Sequence, residues 1–157
     1  MTWSLVGQET GDDRNDPIAA HTFKLKIQGM EEIDVFDVSG FDNNTEAVEV
    51  RQVGPTGRVQ VIKQFGNTKW GDITLKRGFT ADKTLWNLRQ AVIDGDHKAA
   101  RKDGSIIGLN AKGDAVVQFD FTNGWINSWK SSGINAKSNE PLTEEITLSH
   151  EGLKRTL

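Results

Sequence analysis

The sequence predicts a mainly β fold: an antiparallel β-sandwich or barrel with one flanking α-helix at about 81–94. Three observations carry this. Short runs of alternating apolar and polar residues recur along most of the chain. Gly- and Asn-rich breaks such as Gly54-Pro55-Thr56-Gly57 and Asn110-Ala111-Lys112-Gly113 separate them. One segment alone has helical spacing. At 157 residues the chain is long enough for one domain with a sizeable core. With 36% hydrophobic and 26% charged residues it has a globular composition.

The elements follow in order. Residues 1–19 lack periodicity and read as a flexible N-terminal arm, with 20–157 as the single domain. Trp3, Leu5 and Val6 are a large apolar group for such an arm and are candidates for contact with a neighbour. From Thr22 to Gln28, Phe23, Leu25 and Ile27 alternate with polar residues, which predicts a half-buried strand. Gly29 turns the chain and Ile33, Val35 and Phe36 begin a second strand, so a hairpin is expected. Ser39-Gly40 breaks it. A third strand holds Val48 and Val50, and beyond the turn at 54–57 a fourth holds Val59 and Val61. Gly66-Asn67-Thr68-Lys69 reads as a further break before the strand of Ile73 and Leu75.

The helix is expected over Ala81–Asp94. Thr80 is its candidate N-cap, and Asp82 places a negative charge in the first turn. Leu85, Leu88 and Val92 form its stripe, widened by Trp86 and Ile93. Gly95 is placed to end it in a left-handed cap. After the basic segment His97–Lys102, Ile106, Ile107 and Leu109 pair in a hairpin with Val117, Phe119 and Phe121. Trp125 and Trp129 bracket another strand, and Ile146 and Leu148 mark the last. The expected total is seven or eight strands.

Composition and motifs exclude more than they assign. A net charge of −3 gives no argument for nucleic acid or an anionic membrane. There is no cysteine, which removes disulfides, thiolate metal sites and cysteine nucleophiles. The first residues show no secretory pattern, and no apolar stretch approaches the ~18 residues of a membrane helix. The sequon at Asn43-Asn44-Thr45 reads as polar loop residues. No P-loop, GxSxG, GxGxxG or HExxH occurs. His21, His97 and His150 lack the spacing of a metal site. Asp94-Gly95-Asp96 has no further ligands of a calcium loop behind it, and Asp12, Asp13 and Asp16 read as a solvated acidic stretch. Glu144 and Glu145 are neighbours on a strand and point to opposite faces, so they do not form an acid–base pair. Lys98, Arg101 and Lys102 lack interleaved aromatics and are a weak nucleic-acid signal. No catalytic residue, cofactor or metal is expected. Five Trp with no Tyr leave a Trp-based carbohydrate-binding module open, against the simpler reading that Trp70, Trp86, Trp125 and Trp129 fill the core or subunit contacts.

Six motifs, counting Leu85-Trp86 with Asp94-Gly95 as one, then resemble one family, the inner-tube proteins of contractile phage tails and of injection systems derived from them. Gly71-Asp72-Ile73-Thr74-Leu75-Lys76-Arg77-Gly78 is similar to its G-x-I-T-L-K-R-G stretch. Phe36-Asp37-Val38-Ser39-Gly40-Phe41 lies upstream in the expected place. Leu85-Trp86 and Asp94-Gly95 follow, then Phe121-Thr122-Asn123-Gly124-Trp125, Ala136-Lys137-Ser138-Asn139-Glu140 and Ile146-Thr147-Leu148-Ser149-His150-Glu151-Gly152-Leu153. The resemblance covers about residues 20–155. It departs at Val61–Gly66, where members often carry a Pro-Gly segment, and in the arm.

The resemblance implies a structural subunit of stacked six-fold rings around a lumen for DNA or protein cargo. The implied partners are the chain itself, a sheath protein and baseplate or initiator proteins. Assembly would take place in the bacterial cytoplasm, and the product would be a virion tail or injection particle. Arg58, Gln60, Lys63, Thr74 and Lys76 are the candidates for the lumen surface. Trp3, Leu5, Val6, Pro55 and Trp70 are those for subunit contacts. A tube-initiating or adaptor protein of the same particle stays open as a second reading.

Overall fold

The computed structural model describes residues 18–133, 137 and 140–157. Among these residues ten strands and two helices succeed one another: β1 Thr22–Ile27, β2 Ile33–Val35, β3 Asp37–Ser39, β4 Asn43–Val53, β5 Val59–Trp70, β6 Ile73–Gly78, α1 Thr84–Ile93, α2 His97–Ala100, β7 Lys102–Leu109, β8 Ala115–Ser131, β9 Thr143–Ser149 and β10 Gly152–Arg155. All pairings are antiparallel. The mainly β architecture read from the sequence is the one observed.

The main sheet runs β2-β1-β7-β8-β9-β6-β3, with β10 on the free edge of the first half of β8. Its two ends meet, because only Phe36 separates β2 from β3. The Phe36 N–H donates to Lys76 O at 3.0 Å, in line with the β3–β6 ladder. The β2–β3 segment thus pairs with β1 at one end and β6 at the other, and the sheet closes into a barrel without a long free edge.

A single strand, β8, forms two walls. Its first half pairs with β7 and its second with β9. The sequence suggested two strands here, separated near Asn123-Gly124. Instead the chain bends while remaining paired. Phe121 lies over Gly104 and Gly124, and a Cβ at either would stand 2.5 Å from its ring. Two glycines therefore make room for one buried aromatic at the bend.

The core is the inward half of each alternating run. Leu25, Ile27, Ile33, Val35, Ile73, Leu75, Ile106, Phe121, Ile126, Ile146 and Leu148 form one buried cluster, closed on one side by Leu85 and Leu88 of α1. The helix begins at Thr84 rather than Ala81. Thr80 does not cap it: its hydroxyl accepts from the Asp82 N–H, while Asp82 Oδ1 accepts from the Thr84 N–H and hydroxyl. The stripe is narrower than expected, since Ile93 and Trp86 remain exposed. The end of the helix is as expected. Gly95 has φ +76°, and the Gly95 and Asp96 N–H groups reach the Val92 and Ala91 carbonyls. The basic segment after it holds a short second helix, α2. Asp96 caps that helix by accepting from Ala99 N–H at 3.2 Å.

Candidate assembly interface

The strands β4 and β5 stand apart. Among the described residues they pair only with each other, as a two-stranded ribbon outside the barrel. Eleven residues of β4 span roughly 36 Å at about 3.3 Å per residue. The Gly66–Lys69 segment does not break the ribbon. Gly66 and Asn67 together oppose Glu46 as a bulge, and pairing resumes at Thr45↔Thr68. A Cβ on Gly66 would touch Glu46 at 3.0 Å, which explains a glycine there. The tip is the turn Gly54–Gly57, with Pro55 exposed at its apex and Gly57 at φ +77°.

Both faces of this ribbon are wet, yet both carry apolar residues. One bears Val48, Val50 and Ile62 with Gln52, Gln60 and Gln64. The other bears Val53, Val59, Val61 and Phe65 with Glu49, Arg51 and Lys63. Phe65 is 96% exposed, Val53 73% and Val59 65%. An isolated two-stranded ribbon with this much uncovered apolar surface is a marginal element and an interaction surface.

The root of the ribbon is held tightly. The Gly71 N–H donates to Asp42 O, and a Cβ on Gly71 would lie 1.6 Å from Asp42 Oδ1. Gly40, at φ +94°, passes so close to Asp72 O that a Cβ would lie 2.0 Å away. His150 Nε2 lies 3.0 Å from Gly71 O, and its ring stands 6.0 Å from that of Trp70. Asn127 Nδ2 and Ser149 Oγ both donate to the Asp72 carboxylate. Thus β9 and β8 brace the point where the ribbon leaves the barrel.

The sequence-derived candidates fall into separate places. Arg58 and Gln60 follow the tip, and Lys63 points to the opposite face of β5 from Gln60. Thr74 and Lys76 lie together on the outward face of β6. There two rows cross four strands: Ser39, Thr74, Thr147 and Ser128, then Asp37, Lys76, Glu145 and Lys130. Charges in the second row alternate, so this wall is polar and nearly neutral, and Lys76 Nζ lies 3.9 Å from Glu145. Trp70 is half-buried at the ribbon root. Trp3, Leu5 and Val6 lie outside the described residues, as does most of the 1–19 arm.

The opposite end of the barrel holds a groove of about 480 Å³ lined by Phe79, Trp86 and Trp129 with Asp82, Lys83 and Glu144. Trp86 meets Trp129 edge to face at 4.8 Å and 75°, and Phe79 meets it at 6.3 Å and 74°. Beneath them Arg77, 6% exposed, pairs with Glu144, 5% exposed. The Trp129 Nε1–H donates to Glu144 Oε2 at 3.1 Å, and Arg77 also donates to Asp82 O. The Thr84 hydroxyl and N–H, with help from Arg77, hold the Asp82 carboxyl below its usual range. Among the described residues no three His, Asp or Glu side chains come together to hold a metal ion, and no helix is long and apolar enough to cross a membrane.

The sequence reading missed this groove and the exposure of Phe65. The available signal was apolar residues on both parities of 59–65, which no barrel strand needs.

A family model described as T4-like virus tail tube protein gp19 matches residues 19–154. No curated protein sequence matches the chain. Among solved structures, the fold is similar to a chain from the sheath–tube complex of an extracellular contractile injection system in the extended state (TM-score 0.74, 24% identity, covering 96% of this chain and 98% of that one). It is equally similar to one from the tube-terminating cap of the anti-feeding prophage (TM-score 0.74, 26% identity, 96% and 99% covered). A more distant likeness is Hcp1 from Flavobacterium johnsoniae (TM-score 0.55, 19% identity, 86% and 94% covered).

Proposed function

The chain belongs to the T4-like virus tail tube protein family, and from that premise we propose that it is the repeating subunit of an inner tube, forming six-membered rings that stack inside a contractile sheath. The observation that carries this reading is the β4–β5 ribbon. A closed barrel needs no such extension for its own stability, whereas a repeating assembly needs an apolar surface for the next copy to cover. Contacts between unlike surfaces of identical subunits close into rings where their rotation closes, and where it does not they continue from ring to ring, which is how a filament grows. Sheath and baseplate are the partners, in keeping with the sheath–tube complex and tube cap among the similar structures. The particle assembles in the bacterial cytoplasm.

The lumen wall in this reading is the polar face bearing Thr74 and Lys76. Alternating charges let a passing nucleic acid or protein find no strongly attractive patch. Arg58 and Gln60 extend that surface along the ribbon. Lys63, on the other face, belongs to a contact. No step of this role calls for a catalytic site. The ribbon also suits an initiating or adaptor subunit of the same particle, which differs only in copy number.

Negative-stain electron microscopy over a concentration series tests the proposal. Rings and hollow tubes with six-fold end views are expected. Tubes of indefinite length favour the repeating subunit, and isolated rings favour the initiator. A monomer at every concentration overturns the self-assembling reading. In assembled tubes, Thr74→Cys should react with a small thiol reagent and resist one too large for the bore. Equal reaction with both would move the lumen wall elsewhere.

A further inference from the structure

We propose that the Phe79–Trp86–Trp129 groove is the docking site for the ribbon of a second copy of this chain, with Phe65 as the side chain that enters it. The inference rests on the stacked-subunit reading and names the contact that would do the stacking.

Position is the first argument. Along β6 and β9 the ladder runs from Ile73↔Leu148 beside the ribbon root to Gly78↔Thr143 beside the groove. Ribbon and groove therefore lie at opposite poles of the barrel, one strand length or about 17–20 Å apart at their bases. A protrusion at one pole and a hollow at the other make a head-to-tail contact that each new copy can repeat.

Chemistry is the second. Phe65 is nearly wholly in solvent, an unusual place for a large aromatic. The groove presents three crossed aromatic rings, with Trp86 41% and Phe79 46% exposed. Edge-to-face contact is the favoured geometry for a further ring.

Charge complementarity is the third. On the Phe65 face, Lys63 and Glu49 stand directly across the ribbon from each other. At the groove rim Asp82 and Lys83 are adjacent. Lys63 toward Asp82 and Glu49 toward Lys83 matches opposite signs at both positions and sets the direction of docking. The floor beneath is rigid, since Arg77, Glu144 and the Trp129 indole hold one another.

The absence of cysteine makes the contact directly testable. Glu49→Cys and Lys83→Cys, which leave Phe65 in place, are combined in one full-length chain, assembled, and oxidised. Disulfide ladders extending beyond dimers are expected, because each chain offers one thiol at each pole. Either single variant stops at dimers. Separately, Phe65→Ser should raise the protein concentration needed for tubes by roughly 30-fold or more, as loss of a buried aromatic anchor does. Its melting temperature should not change. Visible tubes without ladders, or tubes from Phe65→Ser at the unmodified concentration, overturn the docking site and leave the tube reading standing. An unmodified protein that forms neither rings nor tubes overturns both.

Discussion

The barrel and the ribbon are built from the same kind of sequence and behave oppositely. In β6 and β9 the alternating apolar residues Ile73, Leu75, Ile146 and Leu148 are all within 3% of full burial. In β4 and β5 the equivalent residues Val53, Val59, Val61 and Phe65 are more than half exposed. The difference is not propensity. A strand hides its apolar face only if a second layer covers it, and the closed sheet supplies that layer for itself. The ribbon has none among the described residues. Barrel substitutions should therefore be read in stability, ribbon substitutions in assembly.

The largest stability effect is expected at the buried ion pair under the groove. Glu144→Gln takes the buried partner from the Arg77 guanidinium and leaves it only the exposed Asp82 carboxylate, 3.4 Å from Nη1. Breaking a buried pair in this way costs about 3–5 kcal/mol, which denaturant unfolding will measure. A loss under about 1 kcal/mol would mean that Arg77 turns out to solvent.

Next come the glycines at the junction of the two regions. Gly71→Ala places a methyl group on Asp42, and Gly40→Ala adds a left-handed conformation to a clash with backbone. Each should destabilise by about 1–3 kcal/mol. Gly57→Ala at the open ribbon tip has only its positive φ to oppose it and should cost about 1 kcal/mol. If Gly57→Ala were the worst of the three, the junction would be softer than its packing implies.

A smaller effect is expected from Asp120. The Gln118 amide and the Ser105 hydroxyl, which donate to it along β8 and from β7, lower its carboxyl from 3.8. A lowered carboxylate stabilises the fold at pH above its unfolded value. That contribution is lost as pH falls from 3.8 through the lower folded value. Acid unfolding of Asp120→Asn should accordingly show a shallower slope in that range than the unmodified protein.

The smallest stability effect belongs to the ribbon. Phe65→Ser should lie within about 0.5 kcal/mol of the parent in monomer unfolding, because it uncovers no core. A larger loss would show that the ribbon packs on its own barrel in solution, and would undo the contrast.

Local features were legible in the sequence wherever a residue acts through its own backbone or its period. The strand from Phe23 to Ile27, the turn Asn110–Gly113 and the cap at Gly95 stand where the pattern places them. Thr80 misled because the helix starts at Thr84, where Asp82 Oδ1 takes the N–H, while the Thr80 hydroxyl accepts only from Asp82 ahead of it. Gly66-Asn67 misled because a bulge and a break share the same composition. Asn123-Gly124 misled for a related reason, since the glycine there admits Phe121 rather than ending a strand.

By itself, then, the sequence determined the class of fold, most of the strands and the tail-tube likeness, since alternation, turn chemistry and ordered motifs are properties of neighbours along the chain. Tertiary structure alone decided that β2 and β3 close the barrel, that β4 and β5 leave it, and that Phe79, Trp86 and Trp129 meet above Arg77 and Glu144. Those facts depend on which residues far apart in sequence share a layer, and a period of two cannot say what lies opposite the face it marks.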